Sequence, residues 1–230
     1  MLTMILAESE IELIPEEIHD HPSVRANANR RGRKPGEMIL DASRHHTAMK
    51  NLDEGERRGR PDITHVFLLV TLESVLNKKG GLKVIIHTRN NEEISISSET
   101  RIIKNYDRFI GLMEQLYQEK TLPKNEKSLL TLKEDRTLSM IIKDNPADKI
   151  ILCSTKGIYV DLKQYFTKLK KKKIKDILCV IGGFPKGEFH TDFNEVQGEI
   201  DVISIYPEMI PAWSVAMEII VNYENIIHVK

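Results

Sequence analysis

The sequence has few cysteines and few aromatic residues. It is 230 residues long, with two cysteines, Cys153 and Cys179, and aromatic side chains make up 6% of it. Each cysteine stands inside an apolar run, where a thiol is usually a small buried hydrophobe, and the pair offers no metal-binding spacing. We therefore expect no bound metal and a reducing, cytoplasmic environment.

The sequence also lacks net charge and long apolar runs. Lys and Arg together number 34, and so do Asp and Glu, so the formal net charge is zero. It neither supports nor excludes a nucleic-acid partner. Local clusters of charge have to decide that question. No apolar segment approaches the length needed to span a membrane, and the N-terminus lacks a signal-peptide pattern. These absences favour a soluble globular protein with no membrane partner.

The most informative stretch runs from Asp176 to Trp213. Two short apolar runs within it, Ile177 to Ile181 and Val202 to Tyr206, have the length and composition of β-strands. Each run is followed by a loop that cannot be helical, marked by Gly182, Gly183, Pro185 and Gly187 after the first and by Pro207 and Pro211 after the second. Such loops at the carboxyl ends of neighbouring parallel strands form a ligand crevice. A pair of ordinary turns is the alternative, and this stretch alone does not separate the two.

The surrounding pattern predicts an α/β protein. After Ala147, a strand at Ile150–Cys153 and a helix at Val160–Leu169 precede the two strands above, and this alternation implies a parallel sheet. Upstream, the spacing of apolar residues predicts helices over Glu10–Ile18 and Leu129–Ile142. The polar, basic stretch from His21 to Gly36 is predicted to be a mobile solvated loop, with an arm lying on RNA phosphates as the alternative.

A first cationic cluster precedes a predicted helix. Arg57, Arg58 and Arg60 come just before Pro61, which is well suited to the first helical position, and Asp62 lies in the first turn. Cations oppose the helix dipole at that end, so the cluster indicates an anionic partner. A solvated turn with an Arg–Asp surface pair is the simpler alternative.

A second cationic cluster lies before and within a later helix. Arg101, Lys104 and Arg108 recur at spacings of three and four residues, so they can line one basic edge. They are candidates for phosphate contacts. A third basic run, Lys168 to Lys175, stands at a predicted helix end, where lysines are electrostatically favoured. It is interpreted as a solvated helix end, with attraction to RNA as the lesser alternative.

Several blocks of the chain resemble one enzyme family. IGGFPKG followed by ISIYP looks like the cofactor site of SPOUT-class RNA methyltransferases. RGRPDITH and NYDRFIGLM are similar to blocks of the archaeal-type enzymes of that class that methylate N1 of a pseudouridine in small-subunit ribosomal RNA. The resemblance covers nearly the whole chain. It implies one α/β-knot domain over residues 1–230, with an N-terminal strand and hairpin elaboration. A C-terminal trefoil knot, about residues 147–230, would bind S-adenosylmethionine.

The resemblance also implies particular site residues. The implied cofactor contacts are Thr155 (or Ser154 in its place), Gly182, Gly187, Ile203, Ser204, Ile205, Tyr206, Pro207 and Glu208. The implied RNA contacts are Arg60, Arg101, Lys104 and Arg108. Asp62 is expected to orient Arg60 and is also a candidate catalytic base, although proton removal is assigned to no residue.

The implied partners are small-subunit ribosomal RNA and a second copy of the chain, and the implied role is in small-subunit biogenesis. The apolar last helix is expected to contribute to the homodimer, through Trp213, Val215, Ala216, Ile219 and Ile220, with a place in the chain's own core as the alternative. Two other functions stay open. The chain can be an RNA-binding assembly factor whose essential role is non-catalytic, or a SPOUT enzyme acting on transfer RNA.

Overall fold

The computed structural model describes residues 1–124, 127–196 and 198–228. Its strands are β1 Leu2–Ser9, β2 Leu82–Thr88, β3 Glu93–Ile96, β4 Thr121–Leu122, β5 Leu130–Lys133, β6 Lys149–Tyr159, β7 Ile177–Gly182 and β8 Ile200–Ser204. Its α-helices are α1 Pro22–Arg31, α2 Ala42–Met49, α3 Pro61–Leu72, α4 Val75–Lys78, α5 Tyr106–Glu119, α6 Leu138–Lys143, α7 Leu162–Lys171 and α8 Ala212–Ile226.

All of these strands join one sheet in the order β4-β5-β3-β2-β1-β7-β6-β8. The five strands from β2 to β8 in this order run parallel, whereas β3, β5 and β4 alternate in direction. Strand β1 lies in the middle, and all eight of its residues are buried. The predicted α/β architecture with a parallel C-terminal part is therefore confirmed. The parallel strands bring the loops after β6, β7 and β8 to one edge of the sheet.

Alternating side chains of β1 divide the core between the two faces of the sheet. Leu2, Met4 and Leu6 belong to the larger cluster, which includes apolar residues of α3, α5, α7 and α8. Ile5 and Ala7 face the opposite way and belong to a smaller cluster, which includes α6. This period-two pattern is what a central, doubly covered strand requires. The ends of the parallel strands are thus held in place by a central strand that is covered on both faces.

Three local predictions are wrong. Glu10–Ile18 is not an α-helix, because Leu13 forms a β-bridge with Ile39 and only the last three residues make a 3-10 turn. Leu129–Ile142 divides into β5 and the short α6, since Leu130 and Leu132 alternate and pair with β3. The stretch predicted to be a solvated loop, His21 to Gly36, contains helix α1, which buries Val24 and Ala28.

In the part of the chain that is described, no helix has the length and apolarity to traverse a bilayer.

Candidate functional site

A cavity of about 330 Å³ opens where the middle of β6 and the loops after β7 and β8 meet the start of α8. Eight of the nine predicted cofactor contacts line it, namely Thr155, Gly182, Gly187, Ile203, Ser204, Ile205, Tyr206 and Glu208. Ser154, the alternative to Thr155, lines it as well, whereas Pro207 lies in the same exposed turn without lining it. The size is within the range of small-molecule pockets, about 300–1,000 Å³. The structure therefore brings together residues that are about fifty positions apart in sequence.

The wall contributed by β6 depends on Gly157. Strand β6 pairs with β8 through Cys153, loses register, and resumes pairing at Ile158. A Cβ at Gly157 would lie 2.5 Å from the backbone of Ile203, a separation that real side chains do not adopt. The close approach of the two backbones holds the irregular segment of β6 that carries Ser154 and Thr155 against β8. Sequence reasoning missed this glycine, because nothing in the local pattern reveals a contact with a strand 46 residues further on.

The glycines after β7 shape the cavity floor differently from one another. Gly187 has a φ of +88°, which favours glycine over any residue with a Cβ. A Cβ at Gly182 would lie 2.7 Å from the ring of Phe184, which itself lines the cavity. Phe184 packs edge-on against Phe189, a second lining residue, with ring centroids 5.1 Å apart. The glycine-rich loop thus folds back on an aromatic pair.

A buried ion-pair network anchors that loop to β1. The Glu8 carboxylate accepts hydrogen bonds from the backbone N–H groups of His190 and Thr191, at 2.8–3.0 Å, and from the Thr191 hydroxyl. Arg57 donates to Glu8, to Glu10 and to the carbonyl oxygen of Glu188. Its guanidinium also lies 3.8 Å from the centroid of the Phe184 ring. One buried arginine therefore connects β1, the glycine-rich loop and the aromatic pair.

The first cationic cluster is divided by the structure. Arg57 and Arg58 are paired with buried glutamates of their own chain, Glu8, Glu10 and Glu12. The expectation that these two arginines bind an external anion is therefore wrong, because Glu8 in β1 and Glu10 and Glu12 just after it neutralise them. Only Arg60, the third arginine of the cluster, lines the cavity.

Arg60 is fixed by Asp62 at the start of α3. The two side chains form a bidentate pair with N–O distances of 2.8 and 2.7 Å, as predicted. The hydrogen bond from Arg60 to Asp62 raises the pKa of Arg60, so the guanidinium stays charged. Gly59, just before it, adopts a φ of +65°, which gives the chain the sharp bend that precedes the helix. About a third of the Arg60 side chain remains exposed, so it can still meet a ligand.

The second cationic cluster lies beside α3 and outside the cavity. Arg101 and Lys104 are exposed in the irregular stretch before α5, and Arg108 is exposed in the first turn of that helix. His65 of α3 bonds the carbonyl oxygen of Ile103 at 2.8 Å and stacks on Phe109 of α5. The three cations therefore lie along the flank of the helix that begins with Arg60.

The start of α5 also approaches the Arg60–Asp62 pair. Tyr106 donates a hydrogen bond of 3.0 Å to Asp41, and its pKa is raised by burial and then by the charges of Asp41 and Asp62. The hydroxyl thus remains protonated and serves as a donor.

Helix α2 carries two consecutive histidines, of which His45 is buried and His46 is exposed. The described residues contain no cluster of metal-ligating side chains.

The residues of helix α8 predicted to form a homodimer contact lie instead in the core and at the cavity. Val215, Ala216, Ile219 and Ile220 are buried in the chain's own core, so they do not form a dimer face. Trp213 lines the cavity, together with Ile210, Pro211 and Ala212. Cys179 is buried as predicted, whereas Cys153 is half-buried and also lines the cavity.

The chain is similar to known proteins over nearly its whole length. A family model described as EMG1/NEP1 methyltransferase matches residues 4–224. The chain is 52% identical over 225 residues to the ribosomal RNA small subunit methyltransferase Nep1 of Methanothrix thermoacetophila, covering 98% of this chain and 96% of that protein. It is 43% identical to the protein of the same name from Pyrococcus furiosus, over 97% of this chain and 96% of that one. The crystal structure of Archaeoglobus fulgidus Nep1 bound to S-adenosylhomocysteine superposes with a TM-score of 0.85, at 36% identity and 97% coverage of both chains.

Proposed function

Because the chain belongs to the EMG1/NEP1 methyltransferase family, we propose that it transfers a methyl group from S-adenosylmethionine to N1 of a pseudouridine in small-subunit ribosomal RNA. The observation that carries this proposal is a single cavity bordered both by the glycine-rich loops and by the arginine of the RGRPD block. A cofactor site and a polyanion contact then meet at one place. The relative with bound S-adenosylhomocysteine, the product left when S-adenosylmethionine loses its methyl group, supports the choice of donor.

The residues present fit this cofactor. Apolar side chains of Ile203, Ile205, Ile210 and Val215 offer a surface for a heteroaromatic ring. The Ser204 hydroxyl is already bonded to the carbonyl oxygen of Tyr206 at 2.7 Å, so it stabilises the loop and leaves polar recognition to other groups. Backbone groups of the β8 loop and the hydroxyls of Ser154 and Thr155 are the candidates for that recognition. Gly187 also lines the cavity, and a Cβ there would lie 3.1 Å from the Arg57 guanidinium, so only glycine leaves both the loop and Arg57 in place.

The reaction asks little covalent chemistry of the protein. When bound, S-adenosylmethionine would supply an electrophilic methyl group; its transfer to N1 would leave S-adenosylhomocysteine, and the N1 proton would pass to solvent or to Asp62, the candidate base. Orientation of the acceptor is where this chain can contribute most. We propose that Arg60, held by Asp62, grips a phosphate next to a base that is flipped out of its stack toward the cavity. Arg101, Lys104 and Arg108 would extend this contact along the RNA.

Two substitutions separate positioning from proton transfer. Arg60→Ala is expected to lower RNA affinity by about 1–3 kcal/mol, the range for a charge-assisted contact, with cofactor affinity unchanged. Asp62→Ala should match it if Asp62 only orients Arg60. If Asp62 accepts the N1 proton, its loss should slow methyl transfer while RNA binding persists. Filter binding at two salt concentrations and single-turnover methylation would distinguish these results. Arg60→Ala binding as tightly as the parent protein would refute the proposed contact.

We also propose a homodimer, supported by an exposed apolar surface beside the cavity. Ile158, Tyr159, Tyr206, Met209 and Val221 are each at least 42% exposed, and they lie around edge strand β8, the tip of β6 and the outer side of α8. A large exposed apolar patch beside an edge strand is typical of a surface that binds another protein chain. Sedimentation of an Ile158→Asp variant should show a monomer at micromolar concentration, whereas Met140→Asp, at an exposed methionine on α6, should stay dimeric. A monomeric parent protein would contradict the dimer.

The trefoil knot at about residues 147–230 remains a prediction, as does the single-domain assignment. A non-catalytic assembly factor and a transfer-RNA methyltransferase are the competing functions. Calorimetric titration with S-adenosylmethionine, followed by methylation of small-subunit ribosomal RNA and of transfer RNA with a labelled donor, separates all three. Labelling of the ribosomal RNA alone is expected. Labelling of transfer RNA alone, or cofactor binding with no labelling, would favour a competitor.

A further inference from the structure

We propose that a lysine surface at the end of α7 is a second contact for ribosomal RNA, remote from the methyl-transfer cavity. The lysine surface consists of Lys168, Lys170, Lys171, Lys172, Lys173 and Lys175, and all six are exposed. This inference rests on the proposed function, because it assumes that the substrate is a large ribosomal RNA.

The lysine surface is built on a fixed scaffold. Helix α7 ends in a Schellman-type turn, in which the N–H of Ile174 bonds the carbonyl oxygen of Leu169 at 3.1 Å and the N–H of Lys173 bonds that of Lys170 at 2.9 Å. Leu169 is buried, and Ile174 packs against the same core. The lysine side chains therefore leave an ordered turn with their charges directed into solvent.

One of these lysines occupies a position that usually belongs to glycine. Lys173 has a φ of +62°, in the left-handed region where a Cβ is unfavourable. Lys120 ends α5 in the same conformation, but it is paired with Glu134. Lys173 forms no ion pair with any residue that the structure describes. Lys173 therefore places an unneutralised charge at a backbone position where glycine would be less strained.

The charge of the lysine surface is not balanced nearby. Across residues 1–124, 127–196 and 198–228, none of the six lysines has a carboxylate within ion-pair distance. The acidic residues beside them are already used: Asp176 pairs with the N-terminal ammonium, and Asp148 accepts the backbone N–H groups of Lys175 and Asp176. The helix dipole favours cations only within the last turn. It does not account for Lys172, Lys173 and Lys175, which lie beyond the helix.

Helix α8 gives the distance from the cavity. Val215 near its start lines the cavity, and the hydroxyl of Tyr223 near its end donates to the carbonyl oxygen of Lys175 at 2.8 Å. The eight helical steps from Val215 to Tyr223 span about 12 Å. Strand β7 gives a similar result, because it begins just after Asp176 and reaches the cavity at Gly182. The lysine surface therefore lies at the opposite end of the parallel strands from the cavity. The two places are too far apart to contact the same nucleotide.

Other cations connect the two places. Lys79, just after α4, bonds Glu224 of α8 at 2.9 Å, close to Tyr223. Lys78 pairs with Glu73 at the end of α3, and Lys104 and Arg101 act more weakly on the same carboxylate. Cations thus run from Arg60 along the flank of α3 to the lysine surface, with Lys78 and Lys79 each sharing its charge with a carboxylate of this chain. An RNA held at Arg60 and extending along this path would reach the six lysines, and their charge matches its phosphates.

The test compares two quadruple variants on two RNAs. The lysine-surface variant changes Lys168, Lys171, Lys172 and Lys175 to Gln, which keeps length and helix propensity. The control variant changes four other exposed lysines to Gln, Lys124, Lys127, Lys133 and Lys143, near the opposite side of the sheet. The probes are full-length small-subunit ribosomal RNA of Archaeoglobus fulgidus and the shortest fragment of it that the parent protein methylates. Binding is measured over a roughly sixfold range of salt concentration that includes the physiological value, about 0.15 M.

The lysine-surface variant is expected to bind full-length RNA about tenfold to a hundredfold more weakly than the control variant at physiological salt. A plot of the logarithm of its binding constant for full-length RNA against the logarithm of the salt concentration should have a slope shallower by about 2–4. Each phosphate that the variant no longer neutralises changes this slope by about one unit. Methylation of the short fragment and cofactor affinity should match the parent protein. Equal binding of full-length RNA by both variants would overturn the inference, and so would equal losses on both RNAs. A parent protein that methylates neither RNA would refute the proposed function instead.

Discussion

Replacing Arg57 by alanine is expected to destabilise the protein and to weaken cofactor binding together. Arg57 is 5% exposed and pairs with Glu8 and Glu10, both also buried. Removing one member of a buried ion pair typically costs about 3–5 kcal/mol, because the remaining charge is left uncompensated. Glu10 keeps Arg89, and Glu8 keeps its bonds from His190 and Thr191, so we expect the lower end, about 3 kcal/mol.

The matched control is Arg58→Ala. Arg58 makes a bidentate pair with Glu12, and both side chains are largely buried, but it has no hydrogen bond to the described part of the loop after β7. Both variants should lower the free energy of unfolding measured in denaturant. Only Arg57→Ala releases the Glu188 carbonyl and the Phe184 ring, so only it should lose affinity for S-adenosylhomocysteine, by tenfold or more in calorimetry. Equal cofactor affinity in both variants, or an unfolding free energy for Arg57→Ala within about 0.5 kcal/mol of the parent protein, would refute this reasoning.

Three further predictions concern other residues. Burial lowers the pKa of His45 from 6.5 to about 4, so the folded state keeps the ring neutral while the unfolded chain protonates it. The free energy of unfolding should therefore fall between about pH 6.5 and pH 4, by up to about 3 kcal/mol from this group, and His45→Gln should lack that part of the pH dependence in denaturant titrations. Gly157→Ala should cost about 1–3 kcal/mol and weaken cofactor binding, because its Cβ collides with the Ile203 backbone; unchanged melting and affinity would contradict this. Gly182→Val should abolish calorimetric cofactor binding with the fold largely intact, since its side chain displaces the Phe184 ring into the cavity; normal affinity would count against it.

The elements around the cavity could be predicted because their signals are local. The runs Ile177–Ile181 and Val202–Tyr206 have strand composition, and β7 and β8 coincide with them to within two residues. Pro61 marks the start of α3, where the structure places it. The motif blocks then identified lining residues in β6 and in the loops after β7 and β8, which come together because these strands are parallel.

The remaining features depend on partners that are distant in sequence. Ile11, Ile14 and Ile18 have helical spacing, yet Arg57, Arg58 and Arg89 hold Glu10 and Glu12 in a segment that is not helical. Leu130 and Leu132 belong to a strand because β3 and β4 lie on either side of β5. The role of Arg57 was hidden for the same reason, since an arginine before a helix gives no sign of the buried carboxylates that it meets.

The most direct test of the central claim is methyl transfer to a matched pair of RNAs. The two RNAs have the same small-subunit ribosomal sequence and differ only at the target, which is pseudouridine in one and uridine in the other. N1 carries a proton in pseudouridine but is bonded to the ribose in uridine, so only the first offers the proposed acceptor. With labelled S-adenosylmethionine and mass mapping of the product, we predict one methyl group at N1 of the pseudouridine and none on the uridine RNA. Equal methylation of both RNAs, or a methyl group at any other atom of the pseudouridine, would contradict the account.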